Sequence, residues 1–199
     1  MLKRVFDLTV GSVVLALSSP VMAVIAGLIK SSEPHAPVLF TQERVGLHGR
    51  LFRIHKFRTM RAGAAGLAVT SATDARVTPV GAVLRRTKLD ELPQLWDVVR
   101  GEMSLVGPRP EVAHYVAQWP ADVRDLILTV RPGITDPASV RFRNEQEELA
   151  AVPDPERHYL EVILPEKARM YADYVRNRSL LGDLKVLWHT VVAVGRGQD

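Results

Sequence analysis

Two adjacent carboxylates, Asp90 and Glu91, have the residue types and the setting for chemistry. The apolar residues that follow recur at the spacing of an amphipathic helix: Leu92, Leu95, Trp96 and Val99. Pro93 is tolerated only in the first turn of such a helix, and Gly101 is its expected stop. Because free N–H groups at a helix N-terminus favour an ionised carboxylate, Asp90 can act as a nucleophile, or the pair can hold Mg²⁺. An aspartate before a helical proline can also be only a cap.

Basic residues elsewhere in the chain are candidates for holding phosphate beside this pair. Lys56 and Arg58 stand at the end of an expected strand, where they can grip a diphosphate or only guard a solvated strand edge. Arg85 lies shortly before Asp90, so a helical turn or bend can bring its guanidinium beside that carboxylate and keep it ionised. Lys56, Arg58 and Arg85 are therefore candidate substrate-binding residues.

Arg109 is a further candidate for phosphate binding, and its local backbone is stiffer. Pro108 and Pro110 restrict the chain on either side of it, so the planar guanidinium is held by a rigid loop. A guanidinium held in this way can contact a phosphate through two parallel hydrogen bonds. The structural alternative is a turn arginine that forms a salt bridge with Glu111.

Composition sets broad limits on the protein class. At 199 residues with 47% hydrophobic content, the chain suits one domain of ordinary size and is not mainly disordered. The net charge of +4 suits an anionic surface or a phosphate-bearing substrate but demands neither. The sequence contains no cysteine, which excludes disulfides, thiolate metal sites and cysteine nucleophiles.

The N-terminal region contains a long apolar segment at residues 8–29, with Lys3 and Arg4 before it and Lys30 after it. As a straight helix it would reach ~33 Å, enough to cross a hydrocarbon core of roughly 30 Å. A simple transmembrane anchor is therefore one interpretation. A secretory signal peptide is a weaker one, since Asp7 interrupts the start of an apolar stretch that is already too long.

Pro20 divides this segment and predicts a kink at Ser19 and Pro20. Proline has no N–H, and its ring clashes with the carbonyl of Ala16, while the nearby serine hydroxyls can satisfy the freed backbone groups. Each arm of a sharply bent helix would reach only about half of the hydrocarbon core. A re-entrant hairpin that enters and leaves by one face is therefore the competing interpretation, and it keeps both basic flanks on the cytoplasmic side.

The remaining chain predicts a β-hairpin and helices. Residues 38–40 and 51–57 favour strands around a glycine-containing turn at 46–49, and residues 62–81 are typical of a flexible loop. Residues 156–178 favour helices broken at Pro165, and Ser179 is a candidate cap for a last helix over 180–194. That helix carries an apolar stripe that can lie on a membrane surface or pack in the core: Leu184, Leu187, Trp188, Val191 and Val192.

The sequence resembles the bacterial sugar transferases, which are small monotopic phosphoglycosyl transferases. Short blocks in one order along nearly the whole chain carry the resemblance: KRVFD at 3–7, SP at 19–20, VLFTQERVG at 38–46, KFRTM at 56–60, LRR at 84–86, LDELPQ at 89–94, MSLVGPRP at 103–110 and RPGIT at 131–135. The chain departs from the family pattern at Ala75, where the family has proline, and after Thr135, where the family often has glycine. The first departure leaves the roles of Asp74 and Arg76 unassigned, and the second makes transfer of sugar specificity unsafe.

The resemblance implies an enzyme that moves a sugar-1-phosphate from a nucleoside diphosphate sugar, expected to be a UDP-sugar, to a polyprenyl phosphate such as undecaprenyl phosphate. This reaction would start polysaccharide or other glycoconjugate assembly. It implies Asp90 as nucleophile, Glu91 with Asp90 as ligands of Mg²⁺, and Lys56, Arg58, Arg85 and Arg109 as phosphate-binding residues. The competing hypothesis is a membrane-tethered protein that binds anionic lipid or nucleic acid without catalysis.

The expected architecture is α+β and mainly helical. Residues 1–31 are expected to form a re-entrant membrane helix, and residues 32–199 a cytoplasmic catalytic domain with a short β-hairpin and membrane-surface amphipathic helices. The expected location is the cytoplasmic face of the bacterial inner membrane, in contact with membrane lipid. Nucleic acid is not expected as a partner, because no aromatic and basic residues interleave as in a nucleic-acid platform. The resemblance leaves a homo-oligomer open.

Overall fold

The computed structural model describes residues 1–63 and 74–195, which form a mainly helical α+β fold with two small sheets and confirm the predicted class. The helices are α1 (Leu2–Ser32), α2 (Pro79–Thr87), α3 (Gln94–Arg100), α4 (Ala113–Val116), α5 (Ala121–Ile127), α6 (Pro137–Arg141), α7 (Glu145–Ala150), α8 (Pro155–His158), α9 (Leu164–Asn177) and α10 (Leu180–Gly195). The strands are β1 (Leu39–Val45), β2 (Leu51–Phe57), β3 (Ser104–Val106) and β4 (Gly133–Thr135). The loop expected at 62–81 falls largely on residues 64–73, outside the described residues.

Helix α1 continues through Pro20, and of the described helices it alone is long and apolar enough to cross a membrane. Pro20 leaves the carbonyl of Ala16 without its helical N–H donor, and the Ser19 hydroxyl donates to that carbonyl at 2.8 Å. The Ser18 hydroxyl donates to the carbonyl of Leu15 at 3.2 Å. The predicted role of the serines is confirmed. The re-entrant topology stays a prediction.

Both ends of α1 pack against the rest of the protein. Near the end of the helix, Ile25 and Ile29 are buried in a cluster with Phe57 of β2 and Leu84 of α2. Near its start, Arg4 donates to the carbonyl of Val98 in α3 at 2.7 Å. The two ends of the helix therefore contact the same folded body.

A buried charge network fixes the start of α1. The Lys3 ammonium lies 2.9 Å from Asp7 Oδ1 and 2.8 Å from Asp183 Oδ2 of α10. Asp7 also accepts hydrogen bonds from the Ser104 hydroxyl at 2.8 Å and from the Leu105 N–H at 3.3 Å. This network joins α1 to β3 and α10, and it explains the charged residues that begin the chain.

The predicted β-hairpin is confirmed, although its first strand is longer than expected. Strands β1 and β2 pair antiparallel from Leu39 opposite Phe57 to Val45 opposite Leu51. A single turn of 3-10 helix at Leu47–Gly49 joins them. The hairpin carries Lys56 toward α3 and so contributes to the candidate site.

Strands β3 and β4 form a second, parallel sheet. Strand β4 pairs parallel with β3, with Ser104 opposite Gly133 and Val106 opposite Thr135. A Cβ atom on Gly133 would lie 2.1 Å from the backbone nitrogen of Gly107, so this approach requires glycine. The pairing places residues 131–135 directly beside the loop that carries Arg109.

The predicted division of the helices at Pro165 takes the form of a change of helix type within a continuous helical backbone. The chain passes from α8 through a π-helical turn at Tyr159–Ile163 into α9, and Pro165 lies in the first turn of α9. A proline in a first turn removes no hydrogen bond that the helix needs. The prediction of α10 is confirmed, and the Ser179 hydroxyl accepts from the Gly182 N–H at 3.1 Å as its cap.

The apolar stripes of α10 and α3 differ from the predicted ones. In α10, Leu184, Trp188 and Val191 are exposed, whereas Leu187 packs against the core. The exposed part favours the membrane-surface interpretation of this helix over core packing. In α3, Trp96 is half exposed, and the buried apolar residues are Leu95 and Val98.

Candidate active site

The carboxylate pair lies at a sharp reversal between α2 and α3. Lys88 ends α2 with a left-handed backbone, at φ 57° and ψ 13°, and a 3-10 turn at Leu89–Glu91 follows. A non-glycine residue in this region is uncommon and tends to occur at functional sites. Pro93 immediately precedes α3, and Gly101 ends it at φ 89°. The predicted position at a helix start is therefore confirmed, with the pair one turn before α3.

Glu91 is held by two cations. Arg109 contacts both of its carboxylate oxygens, Nη1 with Oε2 at 3.3 Å and Nη2 with Oε1. The Lys56 ammonium lies 3.5 Å from Oε1. Burial disfavours the charged form of Glu91, but Arg109 and Lys56 more than offset burial and lower its pKa below the ordinary value. The same contact raises the pKa of Arg109 well above its ordinary value.

The alternative salt bridge from Arg109 to Glu111 is wrong. The Glu111 carboxylate instead lies 3.4 Å from Arg44 and accepts a hydrogen bond from the Tyr159 hydroxyl at 3.0 Å. The stiff loop therefore directs Arg109 toward the carboxylate pair, while Glu111 ties β1 to the π-helical turn.

Lys56 reaches Glu91 from the end of strand β2. Burial lowers the pKa of Lys56 to about 8, and the neighbouring Glu91 opposes that shift. Lys56 is therefore still mainly protonated at neutral pH. A cation in this position can share its charge between Glu91 and an incoming anion.

Asp90 differs from its neighbour in having a free oxygen. It is 8% exposed, and its Oδ1 is buried without a hydrogen-bond partner in residues 1–63 and 74–195. Burial and then the charge of Glu91 raise the pKa of Asp90 to about 6, against the opposing effects of Lys56, Lys88 and Arg85. Arg85 favours the ionised form of Asp90, as expected, but burial has the larger effect and acts in the opposite direction. The carboxylate form still prevails at neutral pH.

Two predicted phosphate-binding residues lie farther out. Arg85 donates from Nε to the Thr59 hydroxyl at 2.9 Å. Its positive charge favours the ionised form of Asp90 and so acts to lower the pKa of that carboxyl. Arg58 donates to the carbonyls of Pro37 at 2.7 Å and Leu39 at 3.3 Å. The structure thus brings Lys56 and Arg109 onto the pair, keeps Arg85 nearby, and uses Arg58 to hold the backbone where β1 begins.

Sequence reasoning missed Asp97, which joins the two elements of the site. Its buried carboxylate accepts from the His55 N–H at 3.0 Å and lies 2.6 Å from His55 Nδ1. His55 immediately precedes Lys56, so the contact fixes β2 against α3. Neither the period of the helix nor the neighbouring residues signals this pairing, which depends on a strand forty residues earlier.

The predicted Mg²⁺ would find few protein ligands at this site. Among the described residues there is no group of three or more His, Asp, Glu or Cys side chains that could hold a metal. Magnesium in phosphate-transfer sites often uses one or two carboxylates and completes its shell with waters and substrate phosphate. The Asp90 and Glu91 carboxylates would fit that pattern, and both Glu91 oxygens already contact Arg109 or Lys56.

Chemically, the site offers a buried anionic oxygen beside clustered cations. The oxygen is a potential nucleophile, and Lys56 and Arg109 can bind the oxygens of a phosphate. Positive charges held close to a transferred phosphoryl group would stabilise the negative charge that builds up during transfer.

Comparison with known proteins points in the same direction. Residues 1–197 match the family described as bacterial sugar transferase. A UDP-glucose:undecaprenyl-phosphate glucose-1-phosphate transferase of Escherichia coli (strain K12) is 37% identical over 96% of this chain and 39% of its own length. An undecaprenyl-phosphate galactose phosphotransferase of Salmonella typhimurium is 33% identical over 98% of this chain and 40% of its own length. A UDP-N-acetylgalactosamine-undecaprenyl-phosphate N-acetylgalactosaminephosphotransferase of Aeromonas hydrophila is 42% identical over 70% of this chain and 34% of its own length. The chain spans about two fifths or less of these relatives.

Proposed function

Since the chain belongs to the bacterial sugar transferase family, we propose that it transfers a sugar phosphate from a UDP-sugar to undecaprenyl phosphate. The names of its relatives support the class of donor and the acceptor, and they differ in the sugar. The observation that carries the proposal is the free, buried oxygen of Asp90 beside a Glu91 that Lys56 and Arg109 hold. The product would start the assembly of a polysaccharide or another glycoconjugate.

In the first half-reaction, Asp90 Oδ1 attacks the β-phosphorus of the donor. A bond forms between that oxygen and phosphorus, the bond from phosphorus to the bridging oxygen breaks, and uridine monophosphate leaves with the electron pair. The sugar phosphate is then held as an acyl phosphate on Asp90. An acyl phosphate keeps much of the reactivity of a diphosphate, so neither half-reaction is steeply uphill.

In the second half-reaction, an oxygen of undecaprenyl phosphate attacks the same phosphorus. The bond to Asp90 breaks, its carboxylate is restored, and undecaprenyl diphosphate sugar is released. Because the phosphorus is transferred twice at one position, the cations around it serve both steps. Lys56 and Arg109 bind the phosphate oxygens as negative charge moves between them, and Arg85 adds a more distant positive charge.

Glu91 has a different role from Asp90 in this scheme. Its low pKa keeps it ionised, and its contacts fix the positions of Arg109 and Lys56. Asp90 and Glu91 would hold Mg²⁺ together with the donor. When bound, Mg²⁺ would neutralise part of the diphosphate charge.

We further propose that α1 enters and leaves the membrane by its cytoplasmic face. The two docked ends of α1 support this arrangement, because a helix that crossed the bilayer would carry one end away from the body. Apolar side chains exposed along its whole length support burial in lipid: Leu2, Val5, Val13, Val14, Leu17, Val21, Val24 and Leu28. The acceptor lipid stays in the bilayer, so an enzyme that uses it must sit at the bilayer surface.

Cysteine labelling tests this topology. The sequence has no cysteine, so Leu2→Cys and Ser31→Cys each introduce a single thiol on an exposed residue. An impermeant thiol reagent applied to intact cells should label neither, and both should react after permeabilisation. Labelling of one of the two in intact cells would show that α1 crosses the bilayer.

Release of uridine monophosphate tests the enzymatic proposal. The purified full chain with Mg²⁺ and undecaprenyl phosphate is given UDP-glucose, UDP-galactose or UDP-N-acetylgalactosamine. At least one donor should yield uridine monophosphate and a lipid-linked sugar. A protein that binds these ligands and releases no monophosphate from any donor would instead fit the non-catalytic binding hypothesis.

A further inference from the structure

Gln94, the first residue of α3, has a buried amide group that the fold does not use. It is 2% exposed, and its Nε2 has no hydrogen-bond partner within the part of the chain that the structure describes. Native proteins pair nearly all buried polar atoms, so such a group needs an explanation. Apolar packing alone would be served as well by methionine, which has a similar shape.

The position of Gln94 relates it to the catalytic pair. The backbone between Asp90 and α3 is helical, with Leu92 at φ −52° and ψ −37° and Pro93 at φ −61° and ψ −20°. The turn closes through hydrogen bonds between residues three apart, from the Leu92 N–H to the carbonyl of Leu89 at 3.3 Å and from the Leu95 N–H to the carbonyl of Leu92 at 3.1 Å. Such a turn rises by about 2.0 Å per residue, so Asp90 and Gln94 are separated by only about 8 Å along its axis. Both side chains are buried, so both point into the protein body.

Gln94 and Asp90 have opposite requirements. The amide Nε2 of Gln94 is a donor without an acceptor, and Oδ1 of Asp90 is an anionic oxygen without a donor, each judged over the described residues. No hydrogen bond joins these two neighbouring groups. The simplest explanation is a bound ligand that accepts a hydrogen bond from the amide and also interacts with the carboxylate oxygen. A phosphoryl group does so, because its phosphorus accepts the electron pair of a nucleophile and its non-bridging oxygens accept N–H bonds.

We propose that Gln94 is a catalytic residue whose amide donates a hydrogen bond to a non-bridging oxygen of the transferred phosphoryl group. This proposal rests on the transfer reaction proposed above and adds a residue to it. Lys56 and Arg109 are already shared with Glu91, whereas the Gln94 amide is uncommitted. A neutral donor can keep its hydrogen bond to the phosphoryl oxygen in both half-reactions. Because it carries no charge, it does not bind either anionic leaving group more strongly.

The test compares Gln94→Met with Leu95→Met. Both replace a buried residue of α3 with methionine, but only the first removes an amide. Three quantities are measured on the full chain: the melting midpoint without ligand, the rise of that midpoint with UDP and Mg²⁺, and uridine monophosphate release at saturating donor. UDP serves as probe because it carries a β-phosphoryl group without the sugar.

The proposal expects Gln94→Met to melt at or above the wild-type midpoint, since it removes an unpaired buried amide. Its monophosphate release should fall by about ten-fold or more, as expected for loss of one preorganised donor, and its response to UDP should shrink. Leu95→Met should match wild type in all three measurements. If Gln94→Met does not fold, Gln94→Leu also lacks the donor without adding a charge, and it should show the same loss of rate and of UDP response.

Other outcomes separate the two proposals. A Gln94→Met or Gln94→Leu variant with the wild-type rate and UDP response would overturn the role of Gln94 and leave the transfer reaction standing. If Gln94→Met loses activity in proportion to a fall in its melting midpoint, and Leu95→Met is affected equally, Gln94 serves only in packing. A wild-type protein that neither releases monophosphate nor responds to UDP would overturn the transfer reaction, and the role of Gln94 with it.

Discussion

Asp7 and Asp90 are both buried carboxylates, at 2% and 8% exposure, but only one of them is fully used by the fold. Asp7 pairs with Lys3 and accepts hydrogen bonds from Ser104 and Leu105. Asp90 keeps one buried oxygen without a partner among the residues described. Leaving such a group unsatisfied costs about 1–3 kcal/mol. The comparison identifies Asp7 as part of the architecture and supports the proposed role of Asp90 in binding a ligand.

The surrounding backbone shows the same contrast. The Asp7 network lies inside a regular helix and joins it to β3 and α10. Asp90 follows Lys88, whose left-handed backbone is an energetically unfavourable conformation for a non-glycine residue. The turn that carries Asp90 therefore has both an unfavourable backbone conformation and an unpaired polar group. Among the described residues, the network around Asp7 has neither.

Replacing Asp90 should give the largest effect on activity. Asp90→Asn keeps the shape but removes the nucleophile, so uridine monophosphate release should fall by at least about 10³-fold, with or without undecaprenyl phosphate. Its melting midpoint should equal or exceed that of wild type, because a buried, unpaired charge is lost. Paired measurements of rate and midpoint check this. A variant that loses stability along with activity would place Asp90 with Asp7 as a structural residue.

Replacing Arg109 should have the next largest effect. Arg109→Lys keeps the charge and loses the planar fork that contacts both oxygens of Glu91, so the transfer rate should fall by about ten-fold or more. The matched control is Arg157→Lys, which alters an exposed pair with Glu161. Its rate should stay within about two-fold of wild type, as expected for a surface ion pair. A wild-type rate in Arg109→Lys would reduce Arg109 to a loop residue.

Replacing Asp7 should affect stability more than chemistry. Asp7→Asn leaves Lys3 with a single carboxylate and weakens the bonds to Ser104 and Leu105, so the free energy of unfolding should fall by about 1–3 kcal/mol. The activity per folded molecule should change by only a few-fold. Denaturation in detergent, with exposed Asp173→Asn as control, measures the loss. An unchanged midpoint with abolished activity would contradict the division between the two aspartates.

The local parts of this structure could be predicted from sequence. The carboxylate pair before α3 and the β-hairpin follow from patterns within a few residues, such as Pro93 at the helix start and the glycines around the hairpin turn. The serine that satisfies the carbonyl freed by Pro20 is likewise a neighbour in sequence. Short-range geometry alone sets these features.

The features that sequence analysis missed depend on distant contacts. The pairing of β3 with β4, the Asp97 contact with His55 and the burial of Gln94 all depend on how separate elements pack. Periodicity also placed Trp96 on the buried face of α3, although it is half exposed. A helical pattern gives the spacing of residues but not which neighbouring elements cover them.

The central claim is that Asp90 carries the sugar phosphate between donor and lipid. Wild-type protein is incubated with Mg²⁺ and an accepted UDP-sugar labelled in its sugar, without undecaprenyl phosphate, and is then denatured. Label should stay on the protein, be released by hydroxylamine as expected for an acyl phosphate, and map by mass spectrometry to the peptide containing Asp90; Asp90→Asn should carry none. Unlabelled protein, together with intersecting double-reciprocal plots for donor and lipid, would instead show direct transfer in a ternary complex and contradict the claim.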